Sequence, residues 1–129
     1  MKLQILVPHY KETTEVIKPL LDSIAIQQNV DFSQIGVIIC NDGTDVKLDL
    51  PEYPMEVEIY NEPHRGVSGT RNACLDHATA DYVMFCDADD MFYNACGLYI
   101  IMREINNGIF DTLVSVFLEE TRDPKTKDP

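Results

Sequence analysis

The chain has 129 residues, which fits one domain of ordinary size. Hydrophobic residues make up 45% of it, so we expect a packed core rather than a disordered chain. The formal net charge of -12 argues against binding to nucleic acid or to an anionic membrane surface, because both need clustered Lys and Arg. If so acidic a protein binds a phosphate ligand, a cation must lie between the two.

The four cysteines, Cys40, Cys74, Cys86 and Cys96, include no CxxC pair. This spacing favours reduced thiols of a cytosolic protein over disulfides or a zinc site. No run approaches the roughly 20 apolar residues that cross a bilayer, and no basic segment precedes a longer apolar one. We therefore expect neither a membrane span nor a signal peptide. The expected location is the cytoplasm, with peripheral attachment at the inner face of a membrane left open.

Short apolar runs alternate with stretches whose apolar residues recur at the helical period. The predicted strands are 3–7, 36–40, 57–60, 82–86 and 112–118. The predicted helices begin at Thr13 or Thr14, with an apolar face running from Val16 to Ala25, and then cover 69–78 and about 95–106. Residues 48–55 are predicted to be loop, and a polar tail, 121–129, should fray after a domain of residues 1–120. This alternation predicts an α/β fold with a mostly parallel sheet and helices on both faces.

Ligands of such sheets collect beyond the carboxyl ends of the strands. Residues 8–12 follow the first predicted strand, 41–44 the second and 87–90 the fourth. These three polar segments should therefore converge on one crevice.

Asp87, Asp89 and Asp90 place three carboxylates within four residues, directly after a strand predicted to be buried. Their mutual repulsion costs stability unless a cation or water offsets it. Mg²⁺ and Mn²⁺ suit such oxygens and are commonly held by one or two carboxylates plus substrate phosphates. Ala88 leaves room for a ligand near the backbone. A solvated acidic loop or a helix cap explains the same residues, and the position after the strand is what favours a metal.

The other polar segments each have a structural explanation beside the functional one. Asp42 can accept an N–H from a nucleobase, but an Asx turn uses it equally well. Tyr10 can stack on a base or simply pack its ring, and His9 alone is more often structural than catalytic. Residues 65–72 form a glycine-bearing turn that opens a helix, where anions are attracted and where Arg71 can reach a diphosphate. The spacing matches neither a Walker motif nor the Rossmann glycine fingerprint.

In this order, four segments resemble family 2 glycosyltransferases, which have the Rossmann-like GT-A fold. The matching segments are 6–10, 37–44, 66–72 and 81–90, and the resemblance covers about residues 2–118. The last segment contains the family's Asp-x-Asp motif. The resemblance implies a hexosyltransferase-type enzyme whose donor is a nucleotide-sugar, with a UDP-sugar as the implied donor.

The resemblance also implies a role for individual residues. The implied donor contacts are Pro8, Tyr10, Glu12, Asp42, Arg71, Asp87 and Ala88, and the implied ligands of Mn²⁺ or Mg²⁺ are Asp87 and Asp89. Among them, Pro8 and Tyr10 would border the base and ribose, and Asp42 would hydrogen-bond the base. Arg71 would lie near the diphosphate, and Asp89 would be the principal metal ligand.

The family is usually inverting. A carboxylate deprotonates an acceptor hydroxyl, which attacks the anomeric carbon while the metal neutralises charge on the leaving phosphate. Lys11 and Asn41 depart from the family, which often has Asn and Asp there. No segment matches the one that carries the family's general base, so the chain is expected to be the donor-binding half of a longer enzyme. Apolar surface exposed at the edge of such a half would favour a homodimer. The acceptor, whether carbohydrate, lipid-linked or protein, stays open.

Two other functions fit part of the pattern. A nucleotidyltransferase shares the alternating architecture and the acidic metal ligands, but its first loop usually carries glycine, and residues 8–14 contain none. A non-catalytic nucleotide-sugar-binding module would keep the fold without the general base.

Overall fold

The computed structural model describes residues 1–108, so the predicted strand 112–118 and the predicted tail 121–129 lie outside the described residues. The strands are β1 (Leu3–His9), β2 (Ile35–Asp42), β3 (Glu56–Glu62) and β4 (Tyr82–Phe85). The helices are α1 (Thr14–Ala25), α2 (Gly66–His77) and α3 (Gly97–Asn107), with a 3-10 turn at Phe32–Gln34. Within this part of the chain the strands form a parallel sheet in the order β3-β2-β1-β4. The predicted α/β alternation and parallel pairing are confirmed.

The two central strands, β1 and β2, bury side chains on both faces of the sheet. One face packs Ile5 and Val7 of β1 against α1 and α3, which contribute Leu20 and Leu98 to the same core. The other face packs Leu6 against α2 through Cys74. Burial on both faces explains why these strands are continuous apolar runs. The predicted covering of both faces by helices is confirmed.

We expect Leu98→Ala to lower the free energy of unfolding by about 2–5 kcal/mol, because it opens a cavity in the larger core. Leu98 is 0% exposed, whereas Ile100 on the same helix is 50% exposed. Ile100→Ala should therefore stay within about 0.5 kcal/mol of the wild type. Urea denaturation of both variants checks the pair, and equal losses would contradict the placement of α3.

Strand β1 extends beyond Pro8 to His9, whereas the sequence predicted that it stops at the proline. The carbonyl of Leu6 accepts the N–H of Cys86, so Leu6 faces β4. Alternate residues of a parallel strand bond to the same neighbour, so Pro8 also faces that side. The ladder to β4 ends at the Leu6–Phe85 pair. The missing N–H of Pro8 therefore costs no ladder bond.

Helix α1 differs from the prediction at its start. Thr13 occupies the N-cap position, but its side chain makes no capping hydrogen bond. The hydroxyl of Thr14 instead accepts the N–H of Asp49, at 3.0 Å. Val16 is exposed, so the predicted apolar face was wrong at this residue, although Ile17 and Leu20 are buried.

Strand β4 is not the fully buried strand that its apolar sequence predicted. Val83 and Phe85 are exposed, because β4 lies at an edge of the described sheet. Cys86, directly after it, is buried. Cys40 and Cys74 are also buried and Cys96 is exposed, and all four thiols are free. Among residues 1–108, no helix is both long and apolar enough to cross a membrane.

Candidate functional site

The carboxyl ends of the strands gather the predicted polar segments at one edge of the sheet. The pairing places His9, Asn41 and Asn61 side by side across β1, β2 and β3. Strand β4 ends at Phe85, opposite Leu6, and residues 87–90 follow directly. Because all four strands are parallel, the three segments lie at the same end of the sheet, as predicted, and their convergence on one crevice stays a prediction.

Asn41 holds the turn that follows β2. Its Oδ1 accepts from the Thr44 hydroxyl at 2.5 Å, and its Nδ2 donates to the Thr44 carbonyl at 2.6 Å and to Asn61 Oδ1 at 3.2 Å. The turn is therefore held by the Asn41 side chain, and not by an Asx turn of Asp42. His9 is buried, with Nδ1 at 3.3 Å from Asn41 Oδ1 and Nε2 at 2.6 Å from the Glu12 carbonyl. These contacts support the structural interpretation of His9.

Asp42 is buried and caps the N-terminus of α2. Its Oδ1 accepts the N–H of Arg65 at 2.6 Å, and its Oδ2 accepts the N–H of Gly66 at 3.0 Å. Oδ2 also lies 3.0 Å from Nδ1 of His64. This cap explains why α2 begins at Gly66, three residues before the predicted start at 69. Two of the amides expected to attract an anionic ligand thus already bond the chain's own carboxylate.

The pKa of the Asp42 carboxyl group is below its ordinary value. Burial alone would raise this pKa, because it disfavours the charged form. Hydrogen bonds from the Arg65 amide, the Thr70 hydroxyl and the Gly66 amide, together with the charge of His64, outweigh burial and lower it. The predicted contact between Asp42 and a base stays a prediction, and it now competes with these existing bonds.

We expect Gly43→Ala to destabilise the protein more than Gly66→Ala. Both glycines have positive φ, of 74° and 82°, which costs about 1–2 kcal/mol for a residue with a Cβ. A Cβ at Gly43 would also lie 2.6 Å from the backbone nitrogen of His64, whereas one at Gly66 would meet nothing within 4 Å. Thermal unfolding of both variants measures the difference. A larger loss for Gly66→Ala would contradict the close approach of the two turns.

An open groove of about 670 Å³ lies at the ends of β1 and β2. Its lining residues are Tyr10, Lys11, Gly43, Thr44, Asp45, Val46 and His64. The Tyr10 ring lies 5.3 Å from the His64 ring, and Lys11 Nζ lies 5.0 Å from the centroid of the Tyr10 ring. An exposed aromatic face at this position suits stacking on a base.

Glu12 supports the loop that carries Tyr10 into this groove. One carboxylate oxygen of Glu12 accepts the N–H groups of both Tyr10 and Lys11, at 3.0 Å and 2.9 Å. Glu12 therefore shapes the loop backbone, and its predicted contact with a donor stays a prediction.

The acidic segment after β4 brings its three carboxylates together. Asp87, Asp89 and Asp90 are exposed, and each offers an oxygen that lies within 4.8 Å of the other two. Asp90 also closes a tight turn, because its Oδ2 accepts the N–H of Asp87 at 2.8 Å. The Ala88 side chain is buried in the larger core. The room for a ligand beside it stays a prediction. A ligand contact through its backbone stays a prediction.

Arg71 of α2 lies beside this acidic segment. Its Nη2 is 3.6 Å from Asp87 Oδ1, and its guanidinium lies 5.9 Å from the centroid of the Phe85 ring. Arg71 is five residues after Gly66, a rise of about 7.5 Å along the helix. Helix α2 therefore bonds to Asp42 at its N-terminus and places the guanidinium group of Arg71 beside the carboxylates of the acidic segment.

The chain matches the model of glycosyl transferase family 2 over residues 4–127. It belongs to this family. Its relatives include the uncharacterized glycosyltransferase YibD of Escherichia coli K12, which is 28% identical over 127 residues, covering 95% of this chain and 32% of that protein. Another is the uncharacterized glycosyltransferase YwdF of Bacillus subtilis 168, 34% identical over 96 residues, covering 71% of this chain and 34% of that protein. The chain thus spans about a third of the length of these family 2 relatives.

Solved structures share the fold of this family 2 chain. The crystal structure of S. aureus TarS 1-349 in complex with UDP-GlcNAc superposes with a TM-score of 0.67 at 22% identity, covering 83% of this chain and 32% of that one. TarS 1-349 in complex with UDP gives a TM-score of 0.66 at 24% identity and the same 83% coverage of this chain. The expected GT-A fold is confirmed.

Sequence reasoning missed two residues at this edge. The sequence marks Asn41 only as a departure from the family, although it organises the turn after β2. His64 was not singled out, because no local pattern shows that it meets Asp42, 22 residues earlier. An isolated histidine before a helix carries no signal of its own.

Proposed function

We propose that this chain binds the nucleotide-sugar donor of a metal-dependent, inverting glycosyltransferase, with a UDP-sugar as the donor. The observation that carries the proposal is the cluster of three exposed carboxylates beside Arg71, at the sheet edge that also holds the Tyr10 groove. The UDP and UDP-GlcNAc complexes of TarS, which shares the fold, support the choice of donor. Residues 1–120 would form this donor-binding domain.

The residues of the acidic segment fit a divalent cation of the Mg²⁺ or Mn²⁺ type. The atoms that would bind the metal are carboxylate oxygens, which these cations prefer. These oxygens are close enough to one another to share one ion. Their exposure leaves coordination positions for phosphate and water. Asp87 and Asp89 would hold the ion, while one oxygen of Asp90 stays in the turn. When bound, the ion supplies Lewis-acid stabilisation of the leaving diphosphate.

The remaining residues bind and orient the donor. The Tyr10 ring would stack on the base in the groove, with Pro8 beside it. Arg71, which lies beside Asp87 in this structure, would place its positive charge against the diphosphate. A cation and an arginine are what a chain with a net charge of -12 needs to hold a phosphate ligand. The general base and the acceptor site would come from a longer protein, and we place that protein in the cytoplasm, where free thiols persist.

Calorimetric titration of the chain with UDP, in Mn²⁺ and then in EDTA, tests this function. We expect UDP to bind at least about tenfold more tightly with the metal, a difference of about 1.4 kcal/mol in binding free energy. Equal affinity in the two buffers, or no binding in either, would overturn the proposal.

A further inference from the structure

We propose that Ser23 and Gln27 are positioning residues for the metal ligands Asp87 and Asp89. Ser23 lies in the last turn of α1, and Gln27 lies two residues beyond the end of this helix. Both residues are buried, with 5% of their surface exposed. This inference rests on the proposed function, because it names the residues that hold the acidic segment of that site in place.

The acidic segment needs support from elsewhere in the fold. Each of its three carboxylates offers an oxygen within 4.8 Å of the other two, and their like charges repel one another. All three are exposed, so the packing of their own side chains does not hold them together. In a freely moving loop they would separate, and a metal ion would have to gather them at a cost in conformational entropy. A backbone that is fixed on both sides of the segment removes this cost.

The segment is fixed on its β4 side by the sheet and by the core. The N–H of Cys86 donates to the Leu6 carbonyl at 3.0 Å, which continues the alignment of β4 with β1. Ala88, inside the segment, is 1% exposed and belongs to the larger core. The backbone on either side of Asp87 is therefore held.

On the other side of the segment, Ser23 fixes the chain through its hydroxyl group. This hydroxyl donates to the Leu20 carbonyl at 2.6 Å and accepts the N–H of Phe92 at 3.0 Å. The Phe92 ring also packs against the larger core. Because Phe92 lies three residues after Asp89, Ser23 limits how far this metal ligand can move away from its neighbours.

Gln27 makes three further hydrogen bonds, which tie the following loop to both helices. Its Nε2 donates to the Ser23 carbonyl at 3.1 Å and to the Asn94 carbonyl at 2.6 Å. Its Oε1 accepts the N–H of Leu98, in the first turn of α3, at 3.0 Å. Buried backbone groups are costly to leave without such partners. Gln27 therefore holds residues 91–96 against the end of α1.

The loss of these contacts should affect the metal more than the nucleotide. Groups that orient metal ligands typically change metal affinity by about 10- to 100-fold when they are replaced. The Tyr10 groove lies at the ends of β1 and β2, and Arg71 lies on α2, so neither depends on Ser23 or Gln27. We therefore expect the metal-dependent part of UDP binding to fall while the metal-independent part stays.

Calorimetric titrations with UDP, in Mn²⁺ and in EDTA, test this role in two variants. For Gln27→Ala we expect the UDP affinity in Mn²⁺ to fall by about tenfold or more, with no change of the affinity in EDTA. Ser23→Ala should change the two affinities in the same way. It removes only one hydroxyl, and alanine favours the helix, so this variant stays folded even if Gln27→Ala does not.

The matched control is Gln4→Ala, which removes another buried glutamine. Gln4 is 2% exposed, and its Oε1 accepts the N–H groups of Thr79 and Ala80, at 2.7 Å and 2.9 Å. These two residues precede β4, at the end of the sheet away from the acidic segment. Gln4→Ala should lower the thermal unfolding midpoint as Gln27→Ala does, and it should bind UDP like the wild type in both buffers.

The outcomes separate this inference from the proposed function. If the wild type binds UDP equally in Mn²⁺ and in EDTA, both are overturned. If the wild type shows the metal dependence and Ser23→Ala and Gln27→Ala keep it in full, the donor site stands and the positioning role is wrong. A parallel fall of the affinities in both buffers, or an equal loss in Gln4→Ala, would also overturn the role, because the cause would then be a general loss of stability.

Discussion

Asp89→Ala should remove the manganese-dependent part of UDP binding and leave the fold intact. Asp89 is exposed and belongs to the carboxylate cluster. Because its side chain is exposed, its removal should change the free energy of unfolding by less than about 0.5 kcal/mol. Without it, the ion loses a negatively charged ligand, and we expect UDP affinity in Mn²⁺ to fall at least about tenfold.

The matched control for this variant is Asp81→Ala. Asp81 is also exposed and carries the same charge. It pairs with Lys2 at the amino end of β4, which is the end of the sheet away from the carboxylate cluster. A general electrostatic effect would move both variants alike. We expect Asp81→Ala to bind UDP like the wild type, in calorimetric titrations with and without Mn²⁺. Matching losses in the two variants would exclude a metal site at Asp89.

Asp42→Asn should be strongly destabilising, by about 2–3 kcal/mol. The carboxylate accepts N–H groups on both oxygens, and the amide of Asn would turn a donor toward one of them. The start of α2 would then lose its cap. Urea denaturation measures the loss, with Asp45→Asn as the control. Asp45 is exposed in the next turn, and its substitution should stay within about 0.5 kcal/mol.

The same variant should change the pH dependence of stability. The pKa of Asp42 is lowered in the folded protein, relative to about 3.9 for an unfolded chain. Its contribution is therefore fully present above the unfolded pKa and is lost as the pH falls through the folded pKa. The difference in free energy of unfolding between wild type and Asp42→Asn should be largest near neutral pH and should shrink below about pH 4. A difference that stays constant down to the acid limit would contradict the ionised cap.

The sequence predicted those parts of the fold that depend on local pattern. Helix α3 was placed to within two residues, because its apolar period is regular and Gly108, with φ of 69°, ends it. The central strands were found because burial on both faces leaves an unbroken apolar run. The start of α2 was missed, because its cap comes from Asp42, far back in the chain. The residues next to Gly66 in the sequence do not show that Asp42 caps this helix.

For the candidate site, too, the sequence predicted the local features but not those that depend on tertiary packing. The acidic segment was predicted from three carboxylates after an apolar strand, a signal that lies within a few residues. The closeness of Arg71 to Asp87 depends on how α2 packs on the sheet, which the sequence alone does not show. The burial of Asp42 and the exposure of His64 likewise follow from tertiary packing. The sequence therefore identified the residue types of the site, whereas their contacts and their burial were visible only in the structure.

The most direct measurement is a crystal structure of the chain soaked with UDP and Mn²⁺, with anomalous scattering data collected to locate manganese. We predict one manganese peak within bonding distance of carboxylate oxygens of Asp87 and Asp89 and of the diphosphate of UDP. The uracil should lie in the groove beside Tyr10. A diphosphate bound with no manganese at these carboxylates, or manganese bound at a different surface, would contradict the account.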